Sequence, residues 1–260
     1  MDNTKIDWCD STWNPITGCL HGCEYCYAQK IANRFKGNGF IDIRKYNAVS
    51  TQSGEIIELK EPIQKKNKKG KFVVDSYPFN FKPTFHKYLL DKPQHWKKLR
   101  TIFVGSMADI FGDWVPEEWI EEVFAACEKA PQHRYLFLTK NPKRYTELAN
   151  KGKLPQRSNM WYGTTVTNSS SLCFGHFKYN TFLSVEPLLE SLNVGIGSFG
   201  SAEWIIIGAE TGNRKDKVIP QKEWIDSICE AAALTQISVF MKDSLIPIVG
   251  EENMRREFPW

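Results

Sequence analysis

The sequence lacks any apolar run approaching the roughly 18 residues that cross a bilayer. Its opening, MDNTKIDWCD, has no apolar stretch of the kind that directs secretion. A cytoplasmic protein with no membrane partner is therefore expected. The cysteines do not form an even, regularly spaced set. Seven of them in an intracellular-looking chain argue against a disulfide framework and leave metal, cluster or free thiols. Charge of one sign is barely in excess: 34 Lys and Arg against 30 Asp and Glu give a net +4, too weak an average field to imply nucleic acid by itself. There is no Ser-His-Asp pattern, no glycine-rich phosphate loop and no internal repeat. At 260 residues and 42% hydrophobic, the chain can bury a substantial core as one domain spanning 1–260.

What the sequence does hold is concentrated in GCLHGCEYCYA, residues 18–28, where Cys19, Cys23 and Cys26 make C-x3-C-x2-C. Structural zinc usually takes four protein ligands in paired knuckles. Here Cys9, Cys127, Cys173 and Cys229 are isolated, and His21 stands inside the loop rather than in a spaced pair. Iron–sulfur clusters also take thiolates, usually four. Three close cysteines would leave one iron of a four-iron cluster free for a substrate or cofactor. Zinc, a cluster and packed thiols all remain open on spacing alone.

The flanks and the remainder of the chain carry an alternating pattern. STWNPITGC reads as a strand entering the loop, and YAQKIANRFKG as a helix ending at Gly37. Short apolar runs follow at 100–106, 133–141, 160–168, 181–189, 203–212 and 237–244, with helix patterns at 116–130, 142–152 and 221–234. With the strand before the cysteines, this predicts an α/β fold: a partial, open TIM-type β/α barrel of about six to seven parallel strands, each followed by a helix. In such a barrel the strands' C-terminal ends converge on one mouth. Polar residues stand at those ends: Ser106 and Asp109, Thr139 and Lys140, Thr165, Thr167 and Asn168, Ser184 and Glu186, Glu210 and Thr211, Lys242 and Asp243.

The C-x3-C-x2-C spacing with Tyr25 before the last cysteine resembles the signature of the radical S-adenosylmethionine superfamily. The segments WCDSTWNPITGC, GSMADIF, LTKNP, SVEPLL and IIIGAETG extend the likeness along nearly the whole chain. They resemble a little-characterised radical SAM-like family of bacteria and phages, distantly similar to spore photoproduct lyase. The resemblance implies a [4Fe-4S] cluster on Cys19, Cys23 and Cys26, with S-adenosylmethionine on the remaining iron and Tyr25 beside its adenine. It further implies a one-electron reductant of flavodoxin or ferredoxin type. Where the superfamily holds the amino group of SAM with a Gly-Gly-Glu-like segment, this chain has SMAD, so Ser106 and Asp109 become the candidates. Thr165, Thr167 and Asn168 are candidates around the ribose, Glu210 near the adenine, and Ser184 is a further cofactor-binding candidate.

Three features bear on the substrate. Residues 38–99 are long for a barrel connection and read as an inserted cap or β-hairpin. Within them KEPIQKKNKKGK (60–71) has six lysines against one glutamate, a pattern that commonly marks a solvated hairpin tip. Phe72, Tyr77, Phe79, Phe81 and Phe85 suit either stacking on bases or a small apolar core. Lys140, Glu186 and Lys242 are the candidate catalytic groups at the mouth, able to pair internally or to grip a charged substrate. The favoured expectation is a radical SAM enzyme acting on a nucleobase in DNA or RNA. The alternatives are a non-catalytic zinc- or cluster-bearing binding protein and a radical SAM enzyme for a small metabolite or peptide.

Overall fold

The computed structural model describes residues 4–36, 45–51 and 54–260. In chain order it contains β1 (Ser11–Trp13), β2 (Ile16–Thr17), α1 (Tyr27–Phe35), β3 (Asn47–Thr51), β4 (Gly54–Leu59), β5 (Gln64–Lys66), β6 (Phe72–Val74), β7 (Thr84–His86) and β8 (Thr101–Val104). There follow α2 (Glu117–Glu128), β9 (Arg134–Thr139), α3 (Pro142–Asn150), β10 (Met160–Thr165), β11 (Asn180–Val185), β12 (Trp204–Ile207), α4 (Lys222–Leu234), β13 (Ser238–Met241) and α5 (Ile246–Val249).

Seven strands, β1, β8, β9, β10, β11, β12 and β13, pair in that order, all parallel, in a sheet that curls into half a barrel. Strand residues alternate faces, and the packing follows that alternation. Ile102, Val104, Tyr135, Phe137 and Tyr162 join the core beneath α2 and α3, and Leu183, Val185, Ile205, Ile207 and Val239 the core beneath α4. The intervening residues, Phe103, Leu136, Trp161, Phe182, Trp204, Ile206 and Phe240, form a separate cluster with no helix residue in it. They line the inner face. The helices supply matching stripes, Trp119, Ile120, Val123 and Phe124 on α2 and Ile225, Ile228, Ala231 and Ala232 on α4.

Two expectations need correction. The strand before the cysteines is two strands: β1 joins the large sheet, whereas β2, beyond Pro15, pairs antiparallel with β7 in a smaller sheet of order β2-β7-β4-β3. Nor is every strand followed by a helix. The connections 166–179 and 186–203 contain none, and Phe174 and Tyr179 in one, Leu188, Leu192 and Phe199 in the other, cover the outer cores instead. The expected helix end at Gly37 and the start of the insertion at residue 38 lie outside the described residues. The described part of 38–99 holds β3 to β7, and β5–β6 is a two-stranded hairpin carrying the lysine run. Phe79 and Phe85 are core residues, while Phe72 is exposed. Among the described residues no helix is long and apolar enough to cross a membrane.

Segments from both halves of the chain, around Trp8 and from Arg255 to Trp260, pack on the inner face. Trp8 lies against Phe103 (4.7 Å) and Trp204 (6.2 Å). Its neighbours tie the two flanks of the sheet together: Asp10 accepts from the Thr101 amide at 2.7 Å, and Asp7 from the Asp243 amide at 2.8 Å. The C-terminal tail pairs antiparallel along β13 through Met241 and Glu257. It then places Phe258 and Trp260 against Trp204.

Candidate cofactor site at the strand ends

The cysteine loop leaves β2 through Gly18, where φ is +87° and a Cβ would lie 2.3 Å from the Lys82 carbonyl oxygen. Only glycine fits this position. The Gly18 amide donates to Met107 O (2.9 Å) and the Cys19 amide to Phe81 O (3.3 Å), so the loop sits between the end of β8 and the segment before β7. It ends at Cys26, whose sulfur caps α1 by accepting from the Gln29 amide at 3.3 Å.

Cys19, Cys23 and Cys26 are all free and partly exposed. Burial pushes the Cys19 thiol up to about 12, and the charges of Asp109, Cys23 and Cys26 push the same way, against the His21 amide. The protein alone therefore keeps Cys19 protonated, and a cation bound among the three sulfurs would reverse this. Among the described residues no three Cys, His, Asp or Glu side chains are already gathered in ion-holding geometry. As a donor set the three cysteines fit a thiophilic metal or an iron–sulfur cluster: three free thiols within eight residues of one loop, with the only carboxylate in the loop, Glu24, largely in solvent. The other cysteines are elsewhere: Cys127 in the core, Cys9 against the inner face, Cys173 exposed and Cys229 on α4, packed against the core beneath it.

Several strand-end residues meet this loop. Lys140 places its ammonium 5.2 Å from the Tyr25 ring centre. Asp109 accepts from His21 Nε2 at 2.8 Å. The Ser106 carbonyl accepts from the Tyr27 hydroxyl at 2.6 Å, while its own hydroxyl donates to Asn14 Oδ1 at 3.1 Å. Glu210 takes both arms of Arg214 at 2.8 Å, and Arg214 reaches Glu24 at 3.7 Å. That guanidinium holds the Glu210 carboxyl below its ordinary value.

Glu186 and Lys242 pair with one another across Gly208, where a Cβ would meet Lys242 Cδ at 3.0 Å and Glu186 Cγ at 3.1 Å. The bare backbone of Gly208 is what lets the pair close over the end of β12. Thr165 ends β10 in register with Ser184, whose buried hydroxyl has no hydrogen-bond partner among the described residues. Thr167 and Asn168 fold back on their own loop instead: both amides donate to Ser171 Oγ, and Asn168 Oδ1 accepts from Ser170 and Ser171.

Sequence reasoning did not single out Asn14, Tyr27, Gly208 or Arg214. Only Arg214 carried a local signal, four residues after Glu210, and that spacing is informative on helices, where this segment is not. No curated protein and no solved structure matches the chain. The profile of a family described as "Protein of unknown function (DUF5131)" matches residues 3–245, and the chain belongs to that family.

Proposed function

We propose that this protein is a radical SAM enzyme whose half-barrel is of the TIM type. In this reading Cys19, Cys23 and Cys26 hold a [4Fe-4S] cluster, and SAM lies across the strand ends between Tyr25, Ser184 and Glu210. The observation that carries the reading is the position of the three-thiol loop: it borders the C-terminal ends of an all-parallel half-barrel, where the polar strand ends collect. The cluster and SAM, when bound, would supply a one-electron cleavage yielding a 5′-deoxyadenosyl radical that removes a hydrogen atom from substrate, with electrons from a flavodoxin- or ferredoxin-like reductant of the cytoplasm.

The chain's own residues have simpler work. Cys26 is presented at the first turn of α1, where its sulfur accepts from the Gln29 amide. Ser184 offers an unspent hydroxyl on the inner face. Glu186 and Lys242 face the mouth as a joined donor and acceptor, a match for the edge of a nucleobase in DNA or RNA. The exposed lysines of β5–β6 add a phosphate-facing surface, which supports the nucleic-acid substrate and a capping role for the insertion.

Anaerobic reconstitution tests this directly. Iron and sulfide near four per chain, an electron paramagnetic resonance signal that shifts on adding SAM, and 5′-deoxyadenosine release are expected. Cys19→Ala, Cys23→Ala and Cys26→Ala should each abolish the cluster, and Cys229→Ala should leave it intact. Stoichiometric zinc without a cluster would make the protein a thiolate-zinc binding protein, a reading that the His21–Asp109 contact beside three cysteines also accommodates.

A further inference from the structure

We infer that Asp109 and Lys140 are positioning residues that clamp the two halves of the cysteine loop to the ends of β8 and β9, rather than groups that meet a ligand. The inference builds on the reading of the loop as a thiolate cradle, and it concerns how that cradle is held in shape.

The argument starts from acceptor capacity. An ionised carboxylate offers about four lone-pair sites. Asp109 is 5% exposed, and four protein donors take those sites. Its Oδ1 accepts from the Phe111 amide at 3.0 Å, and its Oδ2 from the Lys140 amide at 2.9 Å and from His21 Nε2 at 2.8 Å. The Thr139 hydroxyl is shared between both oxygens at 2.8 and 3.0 Å. A ligand ammonium would have to displace one of these. Because the carboxylate can only accept, Nε2 of His21 is the protonated nitrogen, and the ring is held further by an edge contact with Trp114 at 4.9 Å between centres.

The geometry then divides the loop evenly. His21 lies between Cys19 and Cys23, and Tyr25 between Cys23 and Cys26. Asp109 grips the first half through His21. Lys140, whose amide Asp109 also holds, grips the second half through the face of Tyr25. One end of β9 therefore fixes both intervals between the sulfurs. Partners that orient ligating loops from outside are worth about 10–100-fold in metal affinity.

The test uses the full-length reduced chain. Alkylation of each cysteine by iodoacetamide is followed by mass spectrometry, and Co2+ is titrated while its thiolate charge-transfer absorption is recorded. Asp109→Asn and His21→Gln should each speed alkylation of Cys23 by about tenfold and weaken Co2+ binding by about 10–100-fold. Lys140→Met should do the same for Cys26 by about threefold, with rescue in Lys140→Arg, since a guanidinium stacks on the same ring. Cys173 should react at the wild-type rate in every variant. Wild-type alkylation and Co2+ spectra in His21→Gln and Lys140→Met would overturn the inference, even if Asp109→Asn failed to fold. A wild-type chain that shows this protection but releases no 5′-deoxyadenosine would support the clamp and overturn only the radical reading.

Discussion

The two ends of the inner face are built from the same strands and could hardly differ more. At the strands' N-terminal ends Trp161 and Trp204 are covered by Phe258 and Trp260 of the tail, and Arg134 lies 4.0 Å from the Trp260 ring centre. At the C-terminal ends the same strands present Lys140, Thr165, Glu186, Gly208 and Lys242, with the cysteine loop alongside. The filled end contributes stability through apolar burial. The polar end keeps backbone close by, a hydroxyl without a partner among the described residues, Lys140 over the Tyr25 ring and Glu186 paired with Lys242. The tail closes one end of the inner face and leaves the other polar.

Three perturbations probe this contrast, in decreasing order of expected effect. Trp204→Ala strikes the filled end, removing a fully buried indole whose N–H donates to Glu257 O at 2.9 Å. It should cost about 3–5 kcal/mol in urea unfolding. A loss under about 1 kcal/mol would show that the tail, not the strand residue, carries the closure. Gly208→Val strikes the polar end by driving a side chain into Glu186 and Lys242. Overpacking of this kind should cost about 1–3 kcal/mol, and it should spare the near-ultraviolet signal of the tryptophan cluster. A collapse of that signal would mean the two ends are not independent.

The smallest effect is one of pH. Arg214 lowers the Glu210 carboxyl below its ordinary value, so the folded state binds fewer protons than the unfolded one in that range. The contribution is full above the ordinary carboxylate value and is lost as pH falls through the lowered one. Wild type should therefore lose more stability than Glu210→Gln between about pH 5 and 3, read from urea midpoints. Equal slopes would detach Glu210 from the stability of the mouth. The filled end has a carboxylate of its own, Glu257 paired with Arg255 at 2.8 Å, so the readout is the difference between the two chains and not the total slope.

Much of this was legible along the chain. Apolar runs marked six of the large sheet's strands to within a few residues, because a strand buried on both faces is a local property. The helices over 117–128, 142–150 and 222–234 followed from their stripes. The split of the first strand was not legible: β2 is two residues long and exists through pairing with β7, far along the sequence. The helix-free connections were also missed, since Phe174 and Leu192 do a helix's covering work without periodicity.

By itself, then, the sequence determined the parallel strand pattern, the three-thiol spacing and the polar character of the strand ends, all of which are properties of neighbouring residues. Only the tertiary structure decided which partners those polar groups take. His21 finds Asp109 across 88 positions, and Lys242 finds Glu186 across 56. Such pairings depend on strand order and on how far the sheet curls. Those are set by the burial of its two faces and by the tail that fills one end, and no local spacing encodes them.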